Sequence, residues 1–66
     1  MHEKWTGEII GRMHNAGVTY DDIAAELGVT KAYLSMIFNG KRSPANARQR
    51  ISDAFAVVME KRRNQQ

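Results

Sequence analysis

The sequence contains no cysteine and only one proline, and just five of its 66 residues are aromatic (one Trp, two Tyr and two Phe). Without cysteine, neither a disulfide framework nor a thiolate metal site can stabilise the chain. Because domains typically span about 100–200 residues, the length allows one domain, residues 1–66, and leaves no room for a deep catalytic cleft. Stability must therefore come from a small apolar core, alone or completed by a second subunit.

Long apolar runs are also missing. The longest run, residues 54–59, is far shorter than the roughly 20 residues that a membrane-spanning helix needs, and the amino terminus lacks a signal-peptide pattern. A composition that is 42% hydrophobic and 26% charged is typical of a folded globular chain. We therefore expect a cytoplasmic protein with no membrane partner.

Charge is unevenly distributed along the chain. Residues 1–29 contain two basic and five acidic side chains, a net charge of −3, whereas residues 30–66 contain eight basic and two acidic side chains, a net charge of +6. These values add up to the overall +3. The basic half favours a polyanionic partner such as nucleic acid, although a solvated basic surface would have the same composition.

Apolar residues recur at helical spacing in four segments, and no segment shows the alternation of a β-strand. We predict an all-α chain with helices over about residues 3–15, 20–27, 31–39 and 45–62, followed by a frayed tail at 63–66. The apolar stripe of the first segment, Trp5, Ile9 and Met13, is interpreted as core. Ile51, Phe55 and Val58 are expected to enter the core from the fourth.

Local signals predict where these helices begin and end. Thr19 and Thr30 are suitable N-caps for the second and third helices, and Gly17 and Gly28 are plausible stops. Asp21 and Asp22 lie in the first turn of the second helix, where the helix dipole favours acids. Asn39 and Gly40 close the third helix. In the fourth, Ser43 is predicted as N-cap with Pro44 at the first helical position.

The second and third segments together match the geometry of a helix-turn-helix. Two short helices joined by a tight turn containing glycine allow one helix to enter the major groove of DNA while the other braces it. Ala24 is small where the two helices must approach, and Gly28 suits a turn that requires a positive φ. The surrounding apolar positions are Ile23, Leu27, Val29, Leu34 and Ile37.

The stretch from Thr19 to Pro44, TYDDIAAELGVTKAYLSMIFNGKRSP, resembles the signature of the helix-turn-helix domains of the lambda repressor, Cro and Xre type. With the flanking helices, the resemblance covers nearly the whole chain. It implies a compact four-helix, lambda-repressor-like fold that binds double-stranded DNA in the bacterial cytoplasm or nucleoid, with the third helix in the major groove, a geometry known from lambda repressor.

The resemblance also implies roles for individual residues. Base edges would be read from the third helix by Lys31, Ala32, Tyr33, Ser35 and Met36. Lysine can donate to guanine, alanine can touch a thymine methyl, and the tyrosine hydroxyl can reach a base or a phosphate, unless the ring is simply packed. The small serine would let the helix sit close to the groove, and the methionine would contact a methyl group or cover the surface.

Phosphate contacts would come from the amino end of the second helix and from the loop after the third. The residues are Thr19, Tyr20, Asn39, Lys41 and Arg42. Many family members have glutamine at the position of Tyr20, although a phenol can also donate to phosphate. Arg48 and Arg50 are about 200° apart around a helix, so they cannot both face the same phosphate strip.

Such domains usually bind two half-sites as a two-fold dimer. Ala56, Val57 and Met59 have no obvious use in the core, so we predict that they form a weak homodimer interface on the fourth helix, with scattered exposed side chains as the alternative. The function implied is a sequence-specific transcriptional regulator, a repressor of a phage or mobile element, acting on a palindromic operator. The alternative is a protein-interaction module, such as an antitoxin or a phage protein that captures another regulator.

Enzymatic readings have little support. The two histidines, His2 and His14, have no partner at metal-ligand spacing, and His14 suits the carboxyl end of a helix dipole. No serine lies in a nucleophile motif, and no glycine-rich phosphate loop is present. We therefore expect no catalytic activity, metal, cofactor or small-molecule ligand.

Overall fold

The computed structural model describes residues 4–65. The predictions that concern His2, the helix start at Glu3 and the last tail residue, Gln66, lie outside this range. The four helices are α1 (Lys4–Ala16), α2 (Tyr20–Leu27), α3 (Lys31–Phe38) and α4 (Ala47–Asn64). No strand occurs between residues 4 and 65. The prediction of an all-α, four-helix chain is therefore confirmed. In the same range, no helix has the length and apolarity needed to cross a membrane.

The caps of α2 and α3 form as the sequence predicts. Thr19 accepts a hydrogen bond from the backbone of Asp22, whose side chain accepts from the backbone of Thr19, so α2 begins with a reciprocal capping box. Thr30 caps α3 by accepting from the backbone N–H of Tyr33 at 3.0 Å. The turn between the helices passes through Gly28 with φ 74°, a left-handed conformation that a residue with a Cβ would adopt only under strain.

The core lies where α4 crosses α2 and α3 packs beside them. Its largest fully buried side chains are Ile23, Leu34, Phe38 and Ile51, one from α2, two from α3 and one from α4. The ring of Tyr20 packs on Phe38, with centroids 5.1 Å apart. The core also includes Ile9 and Met13 of α1, and Ala54 and Val58 of α4. Trp5 and Phe55, predicted as core, are only partly buried and pack against its edge.

The beginning of α4 differs from the prediction. The helix starts at Ala47, not at residue 45, and its N-cap is Asn46, in a left-handed conformation with φ 60° and no side-chain cap bond, not Ser43. Pro44 is half-buried and lines a small apolar cleft together with Leu27, Tyr33 and Ala47. Because Asn46 leaves the right-handed helical conformation, a helix cannot run continuously from Pro44 into α4, and the N–H of Ala47 donates to the Pro44 carbonyl in a separate turn.

Two helix ends also differ. α4 continues through Asn64, so the predicted frayed tail does not begin at residue 63. Its last turn is held to the rest of the protein by Lys61 and Arg62, which bond Glu26 and Asp22 of α2. α3 ends at Phe38, with Asn39 as C-cap at φ −86°, so of the two residues predicted to close the helix only Gly40 takes the left-handed conformation.

Ala24 provides a test of the packing around α2. It is 3% exposed, whereas its neighbour Ala25 is exposed. We expect Ala24→Leu to lower the free energy of unfolding by about 1–3 kcal/mol, since added methylenes overpack a close helix contact. Ala25→Leu is the matched control and should stay within about 0.5 kcal/mol of the original protein. Urea denaturation followed by circular dichroism measures both, and equal midpoints for the two variants would contradict this account of the packing.

Candidate nucleic-acid interface

One face of α3 takes no part in the core. At about 100° per residue, the predicted DNA-contacting residues Lys31, Ala32, Ser35, Met36 and Asn39 fall within an arc of about 140°. We call these five residues the outer face of α3. Lys31, Ala32, Met36 and Asn39 are exposed and Ser35 is half-buried, whereas Leu34, Ile37 and Phe38 on the opposite side are buried. α3 therefore presents a continuous exposed surface of small, polar and flexible side chains.

A hydrogen bond joins two side chains of the outer face. The Asn39 amide donates to the Ser35 hydroxyl oxygen at 3.3 Å. Ser35 and Asn39 are one helical turn apart, so this bond runs along the middle of the face. Asn39, predicted to contact phosphate from the loop, thus lies on the same surface as four of the predicted base-reading residues.

Tyr33 lies apart from the other predicted base-reading residues. It is half-buried at the edge of α3, where it borders the cleft formed with Leu27, Val29 and Pro44. Its ring therefore contributes to packing, in keeping with the packed alternative, and only its outer part is available for a contact with a base or a phosphate.

The amino end of α2 is strongly acidic. Thr19 and Asp22 are joined by two hydrogen bonds, of 2.9 and 3.2 Å, and Asp21 is exposed beside them. The Thr19 backbone N–H that donates to the carboxylate, aided by the Thr19 hydroxyl and the charge of Arg62, holds the pKa of Asp22 below its usual range, although partial burial opposes the shift. Asp22 is therefore ionised at neutral pH. Tyr20, the first residue of α2, is half-buried, and its ring packs against the ring of Phe38.

The loop after α3 is tied to the carboxyl end of that helix. The backbone N–H groups of Lys41 and Arg42 both donate to the Met36 carbonyl, at 2.9 and 3.2 Å. Gly40 makes this close return possible with φ 79°. The exposed side chains of Lys41 and Arg42 consequently extend from a backbone that is fixed relative to the outer face of α3.

The amino end of α4 adds two further basic side chains. It has no acidic residue in its first turn, and Arg48 and Arg50 are both exposed. Arg48 shares a cleft with Arg42 and Trp5, whereas Arg50 borders the separate cleft beside Leu27. The two arginines thus lie on different sides of α4, as their spacing predicts.

Ion pairing divides the basic residues into two groups, which the total charge does not reveal. Lys61, Arg62 and Arg63 pair with Glu26, Asp22 and Glu60 at 2.7, 3.1 and 2.6 Å. Between residues 30 and 60, by contrast, none of the basic side chains has an ion pair within the part of the chain that the structure describes: Lys31, Lys41, Arg42, Arg48 and Arg50. The uncompensated charge of the basic half is therefore concentrated around α3, its following loop and the start of α4.

The predicted dimer residues do not form a single patch. Ala56 and Met59 lie together with Phe55 and Ala16 along a groove between α1 and α4. Val57 lies on the other flank of α4, near Leu27 and Asp53. Met59 and Val57 are 38% and 40% exposed, but about 160° separates them around the helix.

The sequence reasoning missed the role of Arg62. This residue donates to the carbonyls of Ala16 and Gly17 and to the Asp22 carboxylate, at 2.9, 2.8 and 3.1 Å. Its partners lie 40 to 46 positions away in the chain, so no local pattern reveals the cluster. Of the three ion pairs formed by the last turns of α4, only Glu60–Arg63 can be predicted from the sequence, because its residues are three positions apart on one helix.

Comparison with known proteins gives one positive result. A family model described as helix-turn-helix matches residues 12–54, about two thirds of the chain, including all of α2, the turn and α3. Searches of curated proteins and of solved structures find no match. Together with the capped helices, the left-handed Gly28 turn and the exposed outer face of α3, this match shows that the chain belongs to the helix-turn-helix family of the Xre and lambda repressor type, a DNA-binding family.

Proposed function

We propose that the protein is a sequence-specific transcriptional repressor, of the kind encoded by phages and mobile elements, that occludes a promoter by binding double-stranded DNA. The observation that carries the proposal is the outer face of α3, which lies outside the core and is bordered by cations that have no ion pair in the described part of the chain. A surface of this kind fits the major groove, where an α-helix can reach base edges while basic side chains contact the phosphates.

Base reading is assigned to the outer face of α3. Lys31, at the first position of the helix, donates to guanine O6 or N7, and Ala32 contacts a thymine methyl group. Ser35 is small enough to let the helix approach the bases, and Met36 provides an apolar contact. Tyr33 acts from the edge of the helix through its hydroxyl group.

Phosphate binding is assigned mainly to the loop after α3. Lys41 and Arg42 are exposed and have no ion pair within residues 4–65, and their backbone is held by the Met36 carbonyl. Asn39 contacts the phosphate backbone of the DNA from the end of the outer face. Thr19 and Tyr20 approach a second phosphate at the amino end of α2, where the charges of Asp21 and Asp22 weaken the attraction.

The protein binds as a homodimer, weakly associated without DNA, on a palindromic operator with half-sites about 34–36 Å apart. The groove formed by Ala16, Phe55, Ala56 and Met59 supports this arrangement, because Ala56 and Met59 expose apolar side chains beside the partly buried Ala16 and Phe55. Val57, on the opposite flank, is not part of this contact.

Selection of bound sequences from a random DNA pool tests the function directly. We expect enrichment of a palindrome, with an affinity that falls steeply with salt because several phosphates are neutralised. Failure to enrich any sequence would reject the repressor and favour the protein-interaction module. An antitoxin would then be recognised by co-purification with the product of a neighbouring toxin gene.

The dimer has a test of its own. Met59→Glu places a charge in the Phe55 groove and should weaken binding to the full palindrome by about tenfold or more, with little effect on a single half-site. Val57→Glu adds the same charge on the other flank and should bind both DNA fragments like the original protein. Equal effects of the two substitutions, measured by fluorescence anisotropy, would rule out the groove as the interface.

A further inference from the structure

One guanidinium joins three elements of the fold. Arg62, in the last turns of α4, donates through Nη1 to the Ala16 carbonyl and through Nη2 to the Gly17 carbonyl and the Asp22 carboxylate. We call this group of four residues the Arg62 clamp. The two carbonyls lie at the carboxyl end of α1, where backbone acceptors lack helical partners, and Asp22 belongs to the capping box of α2.

The clamp fixes the amino end of α2. The Oδ2 atom of Asp22 accepts from Arg62 and also from the backbone N–H of Thr19, so the guanidinium acts on the cap through a shared oxygen atom. A planar guanidinium that bonds three acceptors holds them in one geometry, which a single point charge cannot do. Arg62 therefore fixes the link between α1 and α2 at both ends, through the Ala16 and Gly17 carbonyls before it and through Asp22 after it.

The clamp also changes the charge that DNA meets at this end of α2. Asp22 is ionised, and a carboxylate at a phosphate-facing helix end repels the phosphate. Arg62 offsets this charge from a distance of 3.1 Å. The neighbouring Lys61 offsets Glu26 on α2 in the same way, at 2.7 Å.

The geometry points to Arg62 as a positioning residue for DNA binding, which holds the amino end of α2 in place for a phosphate contact and neutralises Asp22 without contacting DNA itself. This inference rests on the proposed function. Arg62 is about 21 Å along the α4 axis from Arg48, at 1.5 Å per residue, and both of its terminal nitrogens already bond protein acceptors. It therefore differs from the cations around α3, which have no ion pair among residues 4–65.

Arg62→Met tests the role, because methionine keeps an aliphatic side chain but removes all three hydrogen bonds. We expect the affinity for the selected operator to fall by about tenfold with an unchanged salt slope, since no phosphate contact is lost. Amide exchange at Gly17, Val18 and Thr19 should accelerate in the same variant. Arg63→Met is the matched control: it removes the same charge one residue away, breaks the pair with Glu60 instead of the Arg62 clamp, and should leave affinity within about twofold.

The outcomes separate the alternatives. A variant that remains folded and binds like the original protein would overturn the positioning role, as would a salt slope that falls by about one, the sign of a direct phosphate contact. If Arg62→Met does not fold, Arg62→Lys provides the test: it keeps the charge but not the planar fork, and should weaken binding by about threefold. Unchanged affinity in Arg62→Lys would overturn the role. If the original protein selects no DNA sequence, the proposed function fails first and the role of Arg62 in binding fails with it.

Discussion

Lys31→Glu is expected to weaken specific DNA binding by about 100-fold or more while leaving the protein folded. A good base contact contributes about 1–3 kcal/mol of discrimination, and the new carboxylate would also repel the DNA backbone. The fold should not suffer, because Lys31 is exposed, has no ion pair within residues 4–65 and lies in the first turn of α3, which contains no acid. A glutamate there interacts favourably with the helix dipole.

Lys31→Glu is therefore expected to weaken DNA binding while the stability of the fold is kept or raised, which makes the result easy to interpret. Fluorescence anisotropy with the selected operator gives the affinity, and thermal unfolding followed by circular dichroism should give a melting temperature equal to or above that of the original protein. Lys4→Glu is the matched control, since Lys4 is also exposed but lies on α1, and it should change affinity only through net charge, by a few-fold. An affinity that Lys31→Glu leaves intact would show that α3 is not the recognition helix.

Phe38→Ala is expected to have the largest effect on stability. Phe38 is 1% exposed and supports the ring of Tyr20, so its removal leaves a cavity beneath the amino end of α2. Truncation of a buried phenylalanine lowers the free energy of unfolding by about 3–5 kcal/mol. A core in a chain this short rarely supplies more than about 3–5 kcal/mol in total. The variant should therefore be largely unfolded at 25 °C.

Met36→Ala is the corresponding control within the same helix. Met36 is 39% exposed and lies on the outer face, so its truncation should change the free energy of unfolding by less than about 0.5 kcal/mol. Circular dichroism at 222 nm and urea titration distinguish the two variants. A cooperative transition of Phe38→Ala at the midpoint of the original protein would contradict the burial of this ring in the folded core.

The features predicted correctly from the sequence are those set by a few neighbouring residues. Thr19 and Thr30 cap helices because a hydroxyl group three residues before a backbone N–H can reach it, and Gly28 ends α2 because glycine adopts a positive φ without strain. The apolar spacing of α2 and α3 likewise identified Ile23 and Leu34 as core. Each of these signals is contained within one turn of a helix.

The features that the sequence did not reveal depend on contacts between distant segments. Ser43 and Pro44 form a good local start signal, but Asn46 takes a left-handed conformation after them, so α4 starts at Ala47. The partners of Arg62 on α1 and α2 depend on how α4 crosses those helices. The charge count over residues 30–66 therefore included Lys61, Arg62 and Arg63 in the half expected to face a polyanion. In the structure, acidic partners compensate these three side chains.

The division of α3 into a buried and an exposed side has a consequence for how this protein can diverge. Leu34, Ile37 and Phe38 hold the helix in the core, and none of them belongs to the outer face. Exposed substitutions outside the core typically change stability by no more than about 0.5 kcal/mol. Lys31, Ala32 and Met36 can therefore be exchanged together with little effect on folding. A new DNA-sequence preference can arise by a few surface substitutions, so related helix-turn-helix proteins can separate their DNA targets while keeping a common scaffold.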